Sequence, residues 1–332
     1  MHIFCLPPRM FRLVFSHSLV VFTVLSVHIN IGLSNELANR WNLIGTDNDA
    51  IRLPNGTIQL LETRKTPAGI LSPILKTPSP ANAILVEVSA ICEAKNLKFA
   101  AFDAETGNCI GYWTNPLTAA QETRLTAVLP FSDRAESIRL FVGSHRPGAK
   151  ATFRNIKFSF LQRGMQHAAA VYGALIDHDH TVRQTLKATG DQFGAVTFRI
   201  RRAGGFVESP NLSVRIYRWD KDTATTTQSE PLAEFIVPGK QIPGTRQGGV
   251  DEVELAATYL DGAREISVPL QTATQPGETL VLELAVDDPK SDGIGFITFG
   301  WLNGYEGGML YENNSTRGRD WDLRLETFDA VK

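Results

Sequence analysis

The feature that most constrains this chain is the alternation of apolar and polar residues, with period two, in nearly every segment that looks structured. It runs through "SIRLFVGS" (137–144), "ATFRNIKFSF" (151–160), "AVTFRIRR" (195–202), "LSVRIYRW" (212–219), "EISVPLQ" (265–271), "TLVLELAV" (279–286) and "GFITFGW" (295–301). These segments are rich in Val, Ile, Phe and Thr, and Gly, Pro, Asn or Asp bounds them. Successive side chains of a strand point to opposite faces, so the alternation specifies strands with one face turned to a core. Helical periodicity is nearly absent. "TAAQETRL" (118–125) and "GMQHAAAVYG" (164–173) would make one or two helical turns at most. The expectation is an all-β chain of antiparallel, jelly-roll-like sandwiches.

At 332 residues and 43% hydrophobic, the chain suits two domains of roughly 100–200 residues each. The boundary is expected near residues 162–168, where "RNIKFSFLQ" closes one β unit and "RGMQHAAA" makes a short linker. That gives a first sandwich over 35–162 and a second over 168–332. The stretch "TPAGILSPILKTPSPAN" (66–82) reads as a long surface loop, because proline rarely sits in a central strand.

The formal net charge is −2, and the basic residues are scattered without a stripe or run. This argues against nucleic acid as a partner. The N-terminal stretch places Arg9 and Arg12 before an apolar run from Leu19 to Val27, with Gly32 and Ser34 as small residues beyond it. Residues 1–34 thus read as a secretory signal or, if retained, a membrane anchor. Ser16, His17, Ser18, His28 and Asn30 interrupt the run, which favours cleavage over spanning. The expected location is secreted, periplasmic or cell-surface, with membrane contact only through that segment. Of three cysteines, Cys5 leaves with the signal. Cys92 and Cys109 read as lying on the first and third strands of a meander, about 10 Å apart, too far for a disulfide unless the strand order is other than a meander, so the pairing stays open.

Two resemblances go beyond patterning. The end of the first unit, "RLTAVLPFSDRAESIRLFVGSHRPGAKATFRNIKFSF", resembles the closing strands of jelly-roll carbohydrate-binding modules. The second unit is similar to bacterial β-sandwich modules appended to large surface or glycan-related proteins. That likeness lies in "VRQTLKATGDQFGAVTFRI", in "LVLELAV" with "GIGFITFGW", and in "YEGGMLYEN" with "WDLRLETF". Leu186 and Leu325 depart from the aromatics often found at those places. The resemblances imply sandwich folds more firmly than sugar binding.

The most tempting site is "IDHDHTV" (176–182). On a strand, His178 and His180 would share a face as zinc ligands do, but no HExxH, CxxC or further His-x-His supplies a third ligand. A solvated polar strand is the simpler reading. In "DDPKSDG", Asp287, Asp288 and Asp292 offer oxygens suited to Ca²⁺, against the alternative of an ordinary turn. "GWLNGYEGGMLYENNSTRGRDWDL" (300–323) is the richest stretch: Trp301, Tyr305, Tyr311 and Trp321 stand with Glu306 and Arg319. Aromatic platforms with a few polar partners match the apolar and hydroxylated sides of a sugar ring. There is no GxSxG, and Ser144 beside His145 would point the opposite way on a strand. Asn55, Asn211, Asn313 and Asn314 lie in N-x-S/T sequons.

The sequence therefore supports an exported, non-enzymatic protein that binds polysaccharide or a surface glycan. No cofactor is called for by any motif, and Ca²⁺ is the one candidate. The rival readings are a polysaccharide hydrolase or lyase on a sandwich frame, and a purely structural surface or adhesion protein.

Overall fold

A computed structural model describes residues 40–46, 49–61, 67–93, 97–114, 119–131, 135–166, 172–202, 210–242, 264–287, 296–302, 308–316 and 321–331. The expected signal, residues 1–34, lies outside them. Among the described residues no helix is long and apolar enough to cross a membrane. The chain is all-β, with antiparallel sheets, and divides into two units: Met1–Phe160 with Val331–Lys332, and Leu161–Ala330.

In chain order come β1 (Asn42–Ile44), β2 (Ala50–Arg52), β3 (Ile58–Leu60), β4 (Ala68–Leu71), β5 (Leu75–Lys76), β6 (Ala83–Cys92), β7 (Lys98–Asp103), β8 (Cys109–Thr114), β9 (Ala119–Pro130) and β10 (Ser137–Ser144) of the first unit, then β11 (Ala151–Gln166), which belongs to the first unit up to Phe160 and to the second from Leu161. One sheet runs β1-β4-β10-β7-β8, with β5 also on β10. Facing it are β6, β9, β11, β3 and β2. The alternation places Ile70, Phe99, Leu140 and Val142 of the first sheet against Ile84, Val86, Leu129 and Phe153 of the second, all fully or almost fully buried.

Several expectations change here. Ala68–Leu71 of the proline-rich stretch is a buried strand between β1 and β10, not part of a surface loop. Pro67, Pro73, Pro78 and Pro80 flank β4 and β5 rather than enter them, so no ladder donor is lost inside a strand. "TAAQETRL" is no helix; from Ala119 onward it belongs to β9, which pairs with β6 from Ala83↔Pro130 to Cys92↔Ala119. β6, β7 and β8 are not a meander, because β6 lies in one sheet and β7-β8 in the other. Cys92 is therefore in the interior and Cys109 on the outer side of the opposite sheet, and both remain thiols. The expected linker also differs. Arg163–Gln166 continue β11, pairing with the last strand of the second unit from Leu161↔Ala330 to Gln166↔Glu326. His167–Ala170 fall outside the described residues.

The second unit contributes β12 (Tyr172–Ile176), β13 (Val182–Lys187), β14 (Gln192–Arg202), β15 (Leu212–Arg218), the single-turn α1 (Thr223–Thr226), β16 (Ala233–Val237), β17 (Arg264–Ala273), β18 (Thr279–Val286), β19 (Phe296–Leu302), β20 (Leu310–Glu312), β21 (Ser315–Thr316), β22 (Trp321–Leu323) and β23 (Leu325–Ala330). One sheet runs β16-β15-β18-β13-β20-β21. The other contains β12-β19-β14-β23, with β17 on β14 and β22 on β19. Val182, Leu186, Val214, Leu282 and Leu284 from the first sheet meet Phe193, Phe198, Ile200 and Leu325 from the second. Burying each such side chain contributes about 1.5–3 kcal/mol.

Candidate functional site

The site is built on the outer face of the β16-β15-β18-β13-β20-β21 sheet. In "VRQTLK", Val182 and Leu186 enter the core while Arg183, Thr185 and Lys187 face outward. In "LSVRIYRW", the outward set is Ser213, Arg215 and Tyr217, with Trp219 next beyond the strand. In "TLVLELAV" it is Thr279, Val281 and Glu283. Register brings these together, with Arg183 and Arg215 both opposite Glu283, and Lys187 opposite Thr279. Tyr311 of β20 stands opposite Arg183.

The centre of this face is ionic. Arg183 Nε donates to Glu283 Oε2 at 2.7 Å, with side chains 10% and 5% exposed. Arg215 Nη1 lies 3.4 Å from Glu283 Oε1, and its Nε donates to Glu234 Oε1 at 2.6 Å. Ser213 Oγ also donates to Glu234 Oε1, at 2.9 Å. Burial pulls the Arg215 guanidinium downward, but Glu234 and Glu283 outweigh it and hold it above its ordinary value. The Tyr217 hydroxyl donates to Glu283 at 3.3 Å. Burial and the Glu283 charge push it up to about 12.

Arg183 also fixes a turn. Its Nη1 donates to the Asn313 carbonyl and to Asn314 Oδ1, each at 2.7 Å. Thr223 Oγ1, at the start of α1, reaches the same Asn314 Oδ1 at 3.4 Å. The two asparagines make the β20–β21 turn, with Asn313 at φ 52°, a region asparagine tolerates better than most residues. These sequon asparagines are thus engaged by protein groups.

At one end of the face is a cavity of about 250 Å³. Trp219 and Tyr311 line it, with ring centroids 6.4 Å apart and planes inclined at 36°. They project from strands three spacings apart, about 14 Å, and reach toward each other over Thr185. Thr279, Lys187, Met309 and Gly308 complete the lining. The Lys187 ammonium donates to Thr279 Oγ1. Thr185 and Met309 are clamped by paired bonds: Thr185 N to Met309 O at 3.0 Å, and Met309 N to Thr185 Oγ1 at 2.6 Å. Tyr311 is only 6% exposed, and burial raises its hydroxyl's pKa.

The sequence singled out Tyr311 and missed Trp219, Lys187, Thr185 and Thr279. Trp301 and Trp321 lie in β19 and β22 of the opposite sheet, with Trp301 opposite Asp322 and Leu302 opposite Trp321. Tyr305, Glu306 and Arg319 fall outside the described residues, as do Asp288 and Asp292. Asp287 is exposed, and its amide donates to the Asn211 carbonyl at 2.9 Å.

"IDHDHTV" is not a strand throughout. β12 ends at Ile176 and a turn follows. Asp177 Oδ1 accepts from Asp179 N and His180 N, both at 2.9 Å, and from His180 Nδ1 at 2.7 Å. The aspartate organises the turn between two sheets. Among the described residues no three His, Cys, Asp or Glu side chains form a metal-holding group. Gln184, within the sequence likeness, is likewise structural. Buried Gln184 donates to Asp322 Oδ1 at 2.6 Å and accepts from Leu323 N at 3.0 Å, tying β13 to β22 across the core. Ser144 is buried and bonded to Arg146 N and O, so its hydroxyl is committed to a turn.

No family model matches the chain, and no curated protein matches it by sequence. Among solved structures it is similar to the N-terminal CBM22-1–CBM22-2 tandem domain of Paenibacillus barcinonensis Xyn10C. That match has 10% identity and a TM-score of 0.29, and covers 90% of this chain and 97% of that one. The tandem CBM51 modules of Sp3GH98, the family 98 glycoside hydrolase from Streptococcus pneumoniae SP3-BS71, match at 7% identity and a TM-score of 0.19, over 75% and 86% of the two chains. A structure of infectious bursal disease virus, Gt strain, matches at 13% and 0.22, over 85% and 67%. Likenesses this loose carry no argument about function.

Proposed function

We propose that this chain is a carbohydrate-binding protein and that the cavity beside Trp219 and Tyr311 is its contact site. The observation that carries the reading is the pairing of two aromatic rings with a polar floor in one cavity of the second unit. A sugar offers a C–H face that suits an aromatic platform, and hydroxyls that suit Thr185, Thr279 and Lys187 as donors and acceptors. At about 250 Å³ the cavity sits just below the range of drug-sized sites, a scale that suits one or two sugar units. Among the described residues its lining holds no carboxylate, whereas glycoside hydrolysis uses a pair. Binding is therefore favoured over cleavage at this place. Export to a periplasmic or extracellular setting, through residues 1–34, belongs to the same reading.

The test is a glycan-array screen of the folded protein, with and without chelator. Binding that is lost in Trp219→Ala and kept in Trp321→Ala supports the cavity. The reverse result moves the contact to the alternative set: Trp301, Tyr305, Glu306, Arg319 and Trp321. Chelator sensitivity would support Ca²⁺ at Asp287, Asp288 and Asp292. A blank array for a folded chain removes carbohydrate binding.

A further inference from the structure

Trp219 and Tyr311 reach one cavity from different parts of the second unit, so their spacing depends on how the two carrying segments are tied. Tyr311 belongs to the β20–β21 hairpin, whose turn is Asn313 and Asn314. That turn is seated on β13. Asn313 N donates to the Thr181 carbonyl at 2.8 Å, Thr181 N donates to Asn313 Oδ1 at 2.9 Å, and Arg183 Nη1 donates to Asn314 Oδ1 at 2.7 Å. Trp219 opens a short segment that runs into α1. Its amide donates to the Thr279 carbonyl at 3.0 Å. Asp220 N donates to Thr226 Oγ1 at 3.0 Å, Thr226 Oγ1 donates to the Asp222 carbonyl at 2.6 Å, and Asp222 Oδ1 caps α1 by accepting from Thr225 N at 2.8 Å. These bonds make Trp219 and α1 one piece. That piece meets the hairpin at Asn314, where Thr223 Oγ1, on a residue 2% exposed, donates to Asn314 Oδ1 at 3.4 Å. A carbonyl oxygen has two lone pairs, so this one atom accepts from β13 and from α1 together. The arginine that reaches it is itself held by Glu283.

Taking the role of the cavity from the carbohydrate reading above, we infer that Asn314 is a positioning residue for the glycan contact: its side-chain oxygen ties the hairpin carrying Tyr311 to the segment carrying Trp219, and so sets the distance and tilt of the two aromatic walls. Asn314 is no part of the cavity lining and acts through the two rings. An aromatic platform held in place before the ligand arrives avoids the entropy of ordering it on binding.

The test is ¹⁹F NMR of the full chain labelled with 5-fluorotryptophan, first without ligand. The chain has five tryptophans, and the Trp219 signal is assigned by its loss in Trp219→Phe. Tyr311→Leu should move that signal, because it removes the neighbouring ring. Asn314→Leu, similar in size but with no acceptor, should move it in the same direction and leave the other tryptophan signals in place. Asn314→Asp, whose carboxylate accepts from the same two donors, should return it to the parent position. Thr223→Val keeps the Arg183 bond and drops the α1 bond, so it should give a smaller movement, and it decides the matter if Asn314→Leu does not fold. A Trp219 signal unmoved in the folded variants of Asn314→Leu and Thr223→Val, or not restored in Asn314→Asp, overturns the inference. So does a signal indifferent to Tyr311→Leu. Glycans retained on the array should bind about fivefold more weakly to Asn314→Leu and nearly as well to Asn314→Asp. If glycan binding depends on Trp219 but the signal ignores Asn314, the inference falls while carbohydrate binding stands. If the signals behave as expected and the array is blank, Asn314 still sets the walls and the carbohydrate reading alone falls.

Discussion

In the first unit, the outer face of the β1-β4-β10-β7-β8 sheet carries an apolar patch, in which Leu71, Ala100, Phe102 and Phe141 are at most 7% exposed, with Ile44 and Cys109 beside them, and Lys98 stacked over Tyr112 on the same face. In the second unit, the outer face of the β16-β15-β18-β13-β20-β21 sheet carries two arginines, two glutamates, a lysine and a cavity between aromatic rings. The interiors are alike, each made of alternating aliphatic and phenylalanine side chains. A sandwich interior is what the strands need in order to fold. The outer face is where two such units diverge, and the cavity lined by Trp219 and Tyr311 lies on that of the second. Close packing in the first unit goes as far as backbone. Gly143 stands opposite Gly69, and a Cβ at Gly143 would lie 2.8 Å from the Phe141 ring and 2.2 Å from the Ala68 carbonyl.

The comparison can be tested in descending order of expected effect. Phe141→Ala lies on an outer face yet should behave as a core truncation, costing about 4 kcal/mol. Hydrogen exchange of the first unit's strands would report it, since each unit is read separately. A cost under about 1 kcal/mol would mean that face is ordinary surface. Glu283→Gln should cost the second unit about 3 kcal/mol by leaving buried Arg183 without its counter-charge. The double variant Arg183→Met with Glu283→Leu should recover most of that loss, because well-packed apolar replacements avoid the desolvation.

Acid should weaken the first unit through His145. Burial, then the charges of Lys98 and Arg146, lower its pKa from 6.5 to about 4. Its neutral form is the folded one, so the unfolded state binds more protons between those two values. The stability it contributes is therefore complete above pH 6.5 and is lost as the pH falls toward about 4. The loss should amount to about 1–3 kcal/mol, solvent screening included. His145→Gln should flatten that part of the pH profile, and an unchanged slope would remove His145 as its cause. Smallest in stability is Trp219→Ala. Its half-buried ring should cost no more than about 1 kcal/mol, while glycan affinity should fall about tenfold or more.

Much of the fold was legible in the alternation. β10 and β18 coincide with "SIRLFVGS" and "TLVLELAV", and β15 ends one residue before Trp219. What alternation could not supply was sheet membership. It shows that Arg183, Arg215 and Glu283 avoid the core, but only the order β15-β18-β13 places both arginines against one glutamate. For the same reason "GWLNGYEGGMLYENNSTRGRDWDL" looked like a single aromatic cluster, although the chain crosses from one sheet to the other within it. Trp301 and Trp321 go to one sheet and Tyr311 to the other. Trp219 was passed over because the alternation counted it as the end of the strand "LSVRIYRW", whereas it stands one residue beyond β15. Its role depends on the reach of Tyr311 from a strand about 90 residues later. "IDHDHTV" misled in the opposite direction, since a turn held by Asp177 has the same composition as a polar strand.

The most direct test of the central claim, that binding resides on the second unit's ionic and aromatic face, is a glycan-array comparison of three proteins. These are the parent chain, Trp219→Ala, and Tyr112→Ala, which removes the half-exposed ring beside Lys98 in the first unit. The account predicts loss of the bound glycans in Trp219→Ala and an unchanged array in Tyr112→Ala. Loss in Tyr112→Ala with an intact array in Trp219→Ala would contradict it.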